Sequence, residues 1–79
     1  MALDEQVCAV VSANLEKKIP VGRNTDLRKD VHLDSFGTMM IINGLEDAFS
    51  ISIDDQDFRA VSSVGDIIEM LRTKYHVGG

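Results

Sequence analysis

The chain passes from a long connection into a helix within DVHLDSFGTMMIINGLEDAF, residues 30–49, and this stretch decides the fold. Asp34 and Ser35 are both residue types that cap the N-terminus of a helix, so a helix is predicted to begin near one of them. Gly37 and Gly44 each cost about 1 kcal/mol relative to alanine inside a helix, which indicates a close backbone approach or a surface that must stay small. The apolar residues at helical spacing are Phe36, Met39, Met40, Ile42, Leu45 and Phe49.

A first helix is predicted upstream, from about Leu3 to Lys18, with cationic Lys17 and Lys18 in a last turn where they suit the helix dipole. Residues 19–33 then form a long connection that begins with Pro20 and Gly22. One face of the first helix carries Leu3, Val7, Val10, Val11 and Leu15, and the connection is expected to be pinned to the core by Leu27, Val31 and Leu33.

Two further helices are predicted downstream. Asp54 can cap a short helical turn that runs to about Ala60 and directs Phe58 inward. Ser63, followed by Asp66 three residues later, is typical of a capping box at the start of a last helix. The apolar stripe of that helix is Val64, Ile67, Ile68 and Leu71. Residues 51–53 alternate like a short strand without a partner run, and residues 74–79 are expected to form a flexible tail.

These patterns predict a small all-α four-helix bundle, with three main helices, a short one, and a long loop between helices 1 and 2. At 79 residues the chain has room for one domain, residues 1–79, whose small core favours a binding or carrier module over an enzyme. No apolar run is long enough for a membrane span, and no signal peptide is evident. The single cysteine, Cys8, is expected to be an unreactive, at least half-buried residue, and favours a reducing, cytoplasmic location.

Charge is distributed unevenly along the chain. Residues 30–69 contain nine acidic residues and a single basic one, Arg59, whereas the net charge of the whole chain is −5. Such an acidic middle argues against nucleic acid and anionic membranes as partners and favours proteins with basic patches. Any single acid is explained equally well by solvation of an exposed helix face.

The junction of loop and helix is the candidate functional site, because Ser35 stands where backbone N–H groups are unpaired and the helix dipole is positive. A phosphate attached there would meet an anion site, although Asp-Ser at a helix start is commonly an ordinary cap. A serine hydrolase is disfavoured, since His32 and Asp34 come without a nucleophile elbow. Asp54, Asp55 and Asp57 lack the spacing of a calcium loop, and no metal site is assigned. Gly78-Gly79 is similar to the final glycines of ubiquitin-like sulfur carriers. Those proteins need several alternating strands, however, and this sequence predicts at most one short strand.

The sequence resembles the acyl carrier proteins, including peptidyl and aminoacyl carriers, over nearly its whole length. Asp34-Ser35-Phe36 matches their Asp-Ser-Leu signature, and Asp30-Val31 matches the Asp-Leu before it. Downstream, LEDAF at 45–49, SISI at 50–53 and the pattern of 61–71 follow the family's order. The resemblance implies that Ser35 carries covalent 4'-phosphopantetheine and that Asp34 belongs to the recognition motif.

The same resemblance implies a non-catalytic, monomeric carrier that holds acyl or aminoacyl groups as thioesters for fatty-acid, polyketide or specialised biosynthesis. Its partners would be a phosphopantetheinyl transferase and loading or transferring enzymes with basic docking patches. They would dock on the helix after Ser35, on the residues Phe36, Met39, Met40, Glu46 and Asp47. A helical protein–protein interaction module without a prosthetic group is the alternative.

Two departures from the family pattern leave the cargo open. His32 replaces the usual glycine two residues before Asp34, at a position where an unusual backbone conformation is expected. The helix after the signature begins with apolar residues where fatty-acid carriers have acids, and Ser35-Phe36-Gly37-Thr38 is closer to the D-alanyl carriers' Ser-Met-Gly-Thr. A fatty-acid carrier and a specialised or aminoacyl carrier therefore both remain open.

Overall fold

The computed structural model describes residues 2–15 and 19–77 and contains four helices in this part of the chain. They are α1 (Leu3–Ala13), α2 (Ser35–Phe49), α3 (Asp55–Arg59) and α4 (Val64–Lys74). α1 packs against both α2 and α4. The predicted all-α bundle of three main helices and a short one, with a long loop after α1, is therefore confirmed.

α1 ends five residues earlier than predicted. Asn14 leaves helical geometry, with φ −107° and ψ 11°, and its side-chain Nδ2 donates to the carbonyl of Val10 at 2.8 Å. This bond satisfies one of the carbonyls that a helix leaves unpaired at its C-terminus. The last turn of α1 contains no basic residue, and Lys17 and Lys18, which were predicted to lie there, are outside the described residues.

The core is formed by one cluster of apolar side chains to which all four helices contribute. Leu27 anchors the long connection in it, and Val31 and Leu33 pack against its edge, as the sequence predicted. Ile41, which the predicted apolar set omitted, is fully buried, whereas Phe36, Met39 and Met40 from that set are exposed. The buried residues are Leu3, Val7, Val11, Leu27, Ile41, Ile42, Leu45, Ile53, Phe58, Val61, Val64, Ile67, Ile68, Met70 and Leu71.

The long connection is held by backbone hydrogen bonds to the start of α4. Leu27 N donates to the carbonyl of Ser62 at 2.9 Å, and Gly65 N donates to the carbonyl of Arg23 at 2.8 Å. Between them, Asp26 and Ser63 form an isolated antiparallel bridge. Because both ends of this contact are fixed, the loop presents residues 30–33 at a defined place beside the start of α2.

Local capping fixes the last two helices as predicted. Asp54 Oδ1 accepts from Gln56 N at the start of α3, and Ser63 and Asp66 form the reciprocal capping box of α4. Residues 51–53 make no strand; instead Ile53 is buried and its N–H donates to Glu46 Oε2 at 2.8 Å.

Residues 74–77, which belong to the predicted flexible tail, are held by the helix and by hydrogen bonds. Lys74 is the last residue of α4, the Tyr75 hydroxyl bonds to Asp57, and Val77 N donates to the carbonyl of Leu71 at 2.9 Å. Gly78 and Gly79 lie outside the described residues.

Candidate functional site at the start of α2

Asp34, rather than Ser35, is the N-cap of α2. Its backbone is extended, with φ −99° and ψ −176°, and its Oδ1 accepts a hydrogen bond from Gly37 N at 2.7 Å. Thr38 N donates to the carbonyl of Asp34 at 2.9 Å and closes the first turn. The carboxylate also faces the positive end of the helix dipole. Asp34 therefore performs the capping that the sequence left open between the two residues.

Ser35 is the first residue of α2, and its side chain is exposed to solvent. Its hydroxyl makes no hydrogen bond to any group in residues 2–15 and 19–77, so it is not occupied by a structural role there. A phosphodiester on this oxygen would lie at the N-terminus of a 15-residue helix, where a negative charge is favoured. The residue fits covalent phosphopantetheine in accessibility, in position and in the chemistry of its nucleophilic oxygen.

His32 lies in the loop that leads into α2 and Ser35. Its φ of 55° lies in the left-handed region, which confirms the unusual backbone conformation expected where the family has glycine. Leu33 N then donates to the carbonyl of Leu27 at 3.1 Å, so the loop turns back on itself immediately before α2. The imidazole is exposed beside the site.

Two clefts flank the start of α2, and neither was predicted from the sequence, because each forms where segments distant in sequence meet. The larger one, about 640 Å³, lies between α2 and α3 and includes Ser35 in its lining together with Thr38, Ile42, Ile53 and Arg59. The smaller, about 240 Å³, lies between the end of α1, the loop and α2, where Leu15, Val31, Phe36 and Met40 supply an apolar lining.

The predicted docking residues divide into two groups. Phe36, Met39 and Met40 expose 61%, 50% and 38% of their surface and form an apolar patch on the first two turns of α2. Asp47 is exposed at the far end of the helix. Glu46 is half-buried, and one of its carboxylate oxygens accepts from Ile53 N, so it contributes to the fold and is less available than Asp47.

The remaining candidate groups have structural roles. Burial raises the pKa of the Cys8 thiol, with nearby Asp4 adding to the effect, which suits an unreactive, half-buried cysteine. Asp54 caps α3, and Asp57 is paired with Lys74 and Tyr75, as expected for capping and surface acids. In the described part of the chain, no helix is long and apolar enough to cross a membrane.

This fold and site define a class of protein. Residues 5–71 match the model of the family described as the phosphopantetheine attachment site. An acyl carrier protein of Prochlorococcus marinus (strain MIT 9515) is 30% identical over 71 residues, which are 89% of this chain and 89% of that protein. An acyl carrier protein of Helicobacter pylori (strain ATCC 700392 / 26695) is 29% identical over 72 residues, 90% of this chain and 92% of that protein.

The fold comparison agrees with the sequence relationship. A solved structure of a protein from Mycobacterium tuberculosis, assigned as an acyl carrier protein, superposes with a TM-score of 0.81 at 27% identity. The match covers 92% of this chain and 99% of that one. The chain belongs to the acyl carrier protein family, whose cofactor is covalent 4'-phosphopantetheine and whose members are carriers, not enzymes. The predicted family, cofactor and absence of enzymatic activity are confirmed, and the interaction module without a prosthetic group is not supported.

Proposed function

We propose that the chain is a carrier in which Ser35 bears the 4'-phosphopantetheine arm and presents acyl or aminoacyl thioesters to partner enzymes. The observation that supports this proposal is that Asp34 and Ser35 have separate roles at the start of α2. Asp34 caps the helix, with Oδ1 2.7 Å from Gly37 N, and leaves the neighbouring Ser35 hydroxyl exposed and unbonded within the described residues. A serine kept only for capping would carry that bond itself.

Attachment requires a phosphopantetheinyl transferase and coenzyme A. Ser35 Oγ forms a bond to the phosphorus of the pantetheine-bearing phosphate, the pyrophosphate bond breaks, and adenosine 3',5'-bisphosphate leaves. The hydroxyl proton passes to a base supplied by the transferase. The arm supplies a thiol for thioester formation, and this chain supplies its tether, which keeps the cargo at high effective concentration near each docked enzyme.

The docking surface in this proposal is the apolar patch of Phe36, Met39 and Met40 together with exposed Asp47. The first turn of α2 contains no acidic residue. Partners that recognise this turn must therefore bind apolar side chains there, while basic groups would contact Asp47 farther along the helix. This composition favours a specialised or aminoacyl pathway over a fatty-acid one. A cytoplasmic, monomeric carrier is part of the same proposal.

The proposal is tested by the mass of the intact protein after incubation with coenzyme A and a broad-specificity phosphopantetheinyl transferase. A gain of one phosphopantetheine is expected, and Ser35→Ala should abolish it. Ser12→Ala, which changes an exposed serine in α1, is the matched control and should still gain the arm. A gain that persists in Ser35→Ala would contradict the assignment.

If the wild-type chain gains no mass, the two departures from the family signature are examined by repeating the reaction with His32→Gly and Phe36→Leu. A gain restored by either variant would show that the transferase, rather than Ser35, was unsuited. No gain in any variant would refute the carrier function. Thiol labelling gives an independent readout: Cys8 is the single cysteine of the sequence, so in a Cys8→Ser background a maleimide can label only the thiol of the arm.

A further inference from the structure

Arg59 is a basic residue in a cleft whose other lining residues, Ser35 among them, are acidic, polar or apolar. It is the last residue of α3 and the single basic residue between positions 30 and 69. Its side chain is exposed, lines the same α2–α3 cleft as Ser35 and forms no ion pair with residues 2–15 or 19–77. A guanidinium held at a cleft without a carboxylate partner is available to bind another anion.

The carboxylates of the same cleft have other roles. Asp34 Oδ1 accepts from Gly37 N at the cap of α2, and Glu46 Oε2 accepts from Ile53 N. Asp55 lies in the first turn of α3, where the helix dipole stabilises a negative charge. These three acids and Arg59 give the cleft a net negative charge, so another anion placed at Ser35 is repelled by all of them except Arg59.

We infer that Arg59 binds the phosphodiester of the arm on Ser35. Through this contact α3 is linked to Ser35 when the chain carries the arm. This inference rests on the proposed function, because it requires the arm. A guanidinium forms planar, charge-assisted hydrogen bonds with phosphate oxygens. The contact offsets the repulsion from Asp34 and Asp55, and it acts across the cleft that separates α2 from α3.

The test compares apo and loaded protein by NMR, in wild type and in Arg59→Gln. Loading should slow the solvent exchange of the Arg59 Nε–H about two- to fivefold, the factor that corresponds to an exposed ion pair. The phosphorus resonance of the loaded wild type should move with added salt, whereas that of loaded Arg59→Gln should move less. Arg59→Lys keeps the charge without the planar fork and should restore the salt dependence in part.

Arg72→Gln is the matched control, since it removes the same charge from an exposed position in the last turn of α4. It should leave the phosphorus resonance and the Arg59 exchange rate as in the wild type. Loading that proceeds in every variant with no change at Arg59 would overturn this inference and leave the proposed function intact. Failure of the wild type to gain the arm would refute the proposed function itself.

Discussion

The carboxylate of Asp34 lies 2.7 Å from the backbone nitrogen of Gly37, and this bond separates the structural role of Asp34 from the chemical role proposed for Ser35. Both residues are of types that cap helices, so their order alone does not distinguish them. The extended backbone at Asp34 and the helical position of Ser35 do. Adjacent residues therefore have separate functions, with one holding the helix start and the other exposed beside it.

Substitutions at these two positions should differ in their effect on stability. Asp34→Ala removes the cap and should lower the free energy of unfolding by about 1 kcal/mol. Ser35→Ala removes an exposed hydroxyl that forms no capping bond in the described part of the chain, and it should change this free energy by less than about 0.5 kcal/mol. Urea unfolding of both variants measures the difference. Equal losses would contradict the assignment of Asp34 as the N-cap.

The sequence predicted those parts of the fold that depend on local signals. Asp54 before α3 and Ser63 with Asp66 before α4 bring both cap partners within three residues, so the pattern contains the whole interaction. The end of α1 was harder to predict, because apolar Leu15 continues the helical spacing past the point where Asn14 bonds back to Val10. A local side-chain bond there prevailed over the apolar period.

The exposed patch and the clefts were not predictable in the same way. Phe36, Met39 and Met40 satisfy helical spacing as well as Ile41 does, but of these four only Ile41 is buried. Which side of α2 is covered depends on where α1 crosses it, a tertiary relationship that periodicity does not encode. The α2–α3 cleft likewise has both Ser35 and Arg59 in its lining, although they are 24 positions apart in the sequence.

Gly44 is expected to mark the crossing of α1 and α2. A Cβ at this position would lie 2.7 Å from Asn14 Nδ2 and 3.0 Å from Val10 Cγ1. Gly44→Ala gains about 1 kcal/mol of helix propensity but loses about 1–3 kcal/mol to overpacking. A net loss of stability of about 1 kcal/mol is expected in thermal unfolding, because Val10 is stiff at χ1.

Combining Gly44→Ala with Asn14→Ala tests whether the contact with Asn14 causes the loss of stability. Asn14→Ala removes the nearer of the two atoms, so Gly44→Ala should cost less in that background than in the wild type. Additive losses would show that Asn14 moves aside freely and that the strain arises elsewhere.

Because Asp57 is bonded to both Lys74 and Tyr75, the stability of the protein should depend on pH. Lys74 Nζ lies 2.7 Å from Asp57 Oδ1, the Tyr75 hydroxyl lies 2.8 Å from Oδ2, and these hydrogen bonds hold the pKa of the Asp57 carboxyl below its usual range. A carboxyl whose pKa falls on folding stabilises the protein above its unfolded value of about 3.9, and the contribution is lost as the pH falls through the folded pKa.

Asp57→Asn should therefore destabilise the protein at pH 7 and match the wild type more closely near about pH 2, where the wild-type carboxyl is protonated. Unfolding by urea across this range measures the convergence. Asp47→Asn, at an exposed acid of α2 without an ion pair among the described residues, should show a smaller difference at pH 7. A constant gap between Asp57→Asn and wild type at all pH values would mean that the side chain acts through packing instead of charge.

The left-handed backbone of His32 predicts an order of tolerance at the entrance to α2. With φ at 55°, glycine fits without strain and asparagine fits with little, whereas a β-branched side chain is forced into an unfavourable conformation. His32→Gly and His32→Asn should stay within about 0.5 kcal/mol of the wild type in urea unfolding, and His32→Val should lose about 1–2 kcal/mol. All three should gain the arm under native conditions, because the imidazole is exposed and Asp34 still caps the helix. A valine variant as stable as the glycine variant would show that the loop can reach α2 by another backbone path.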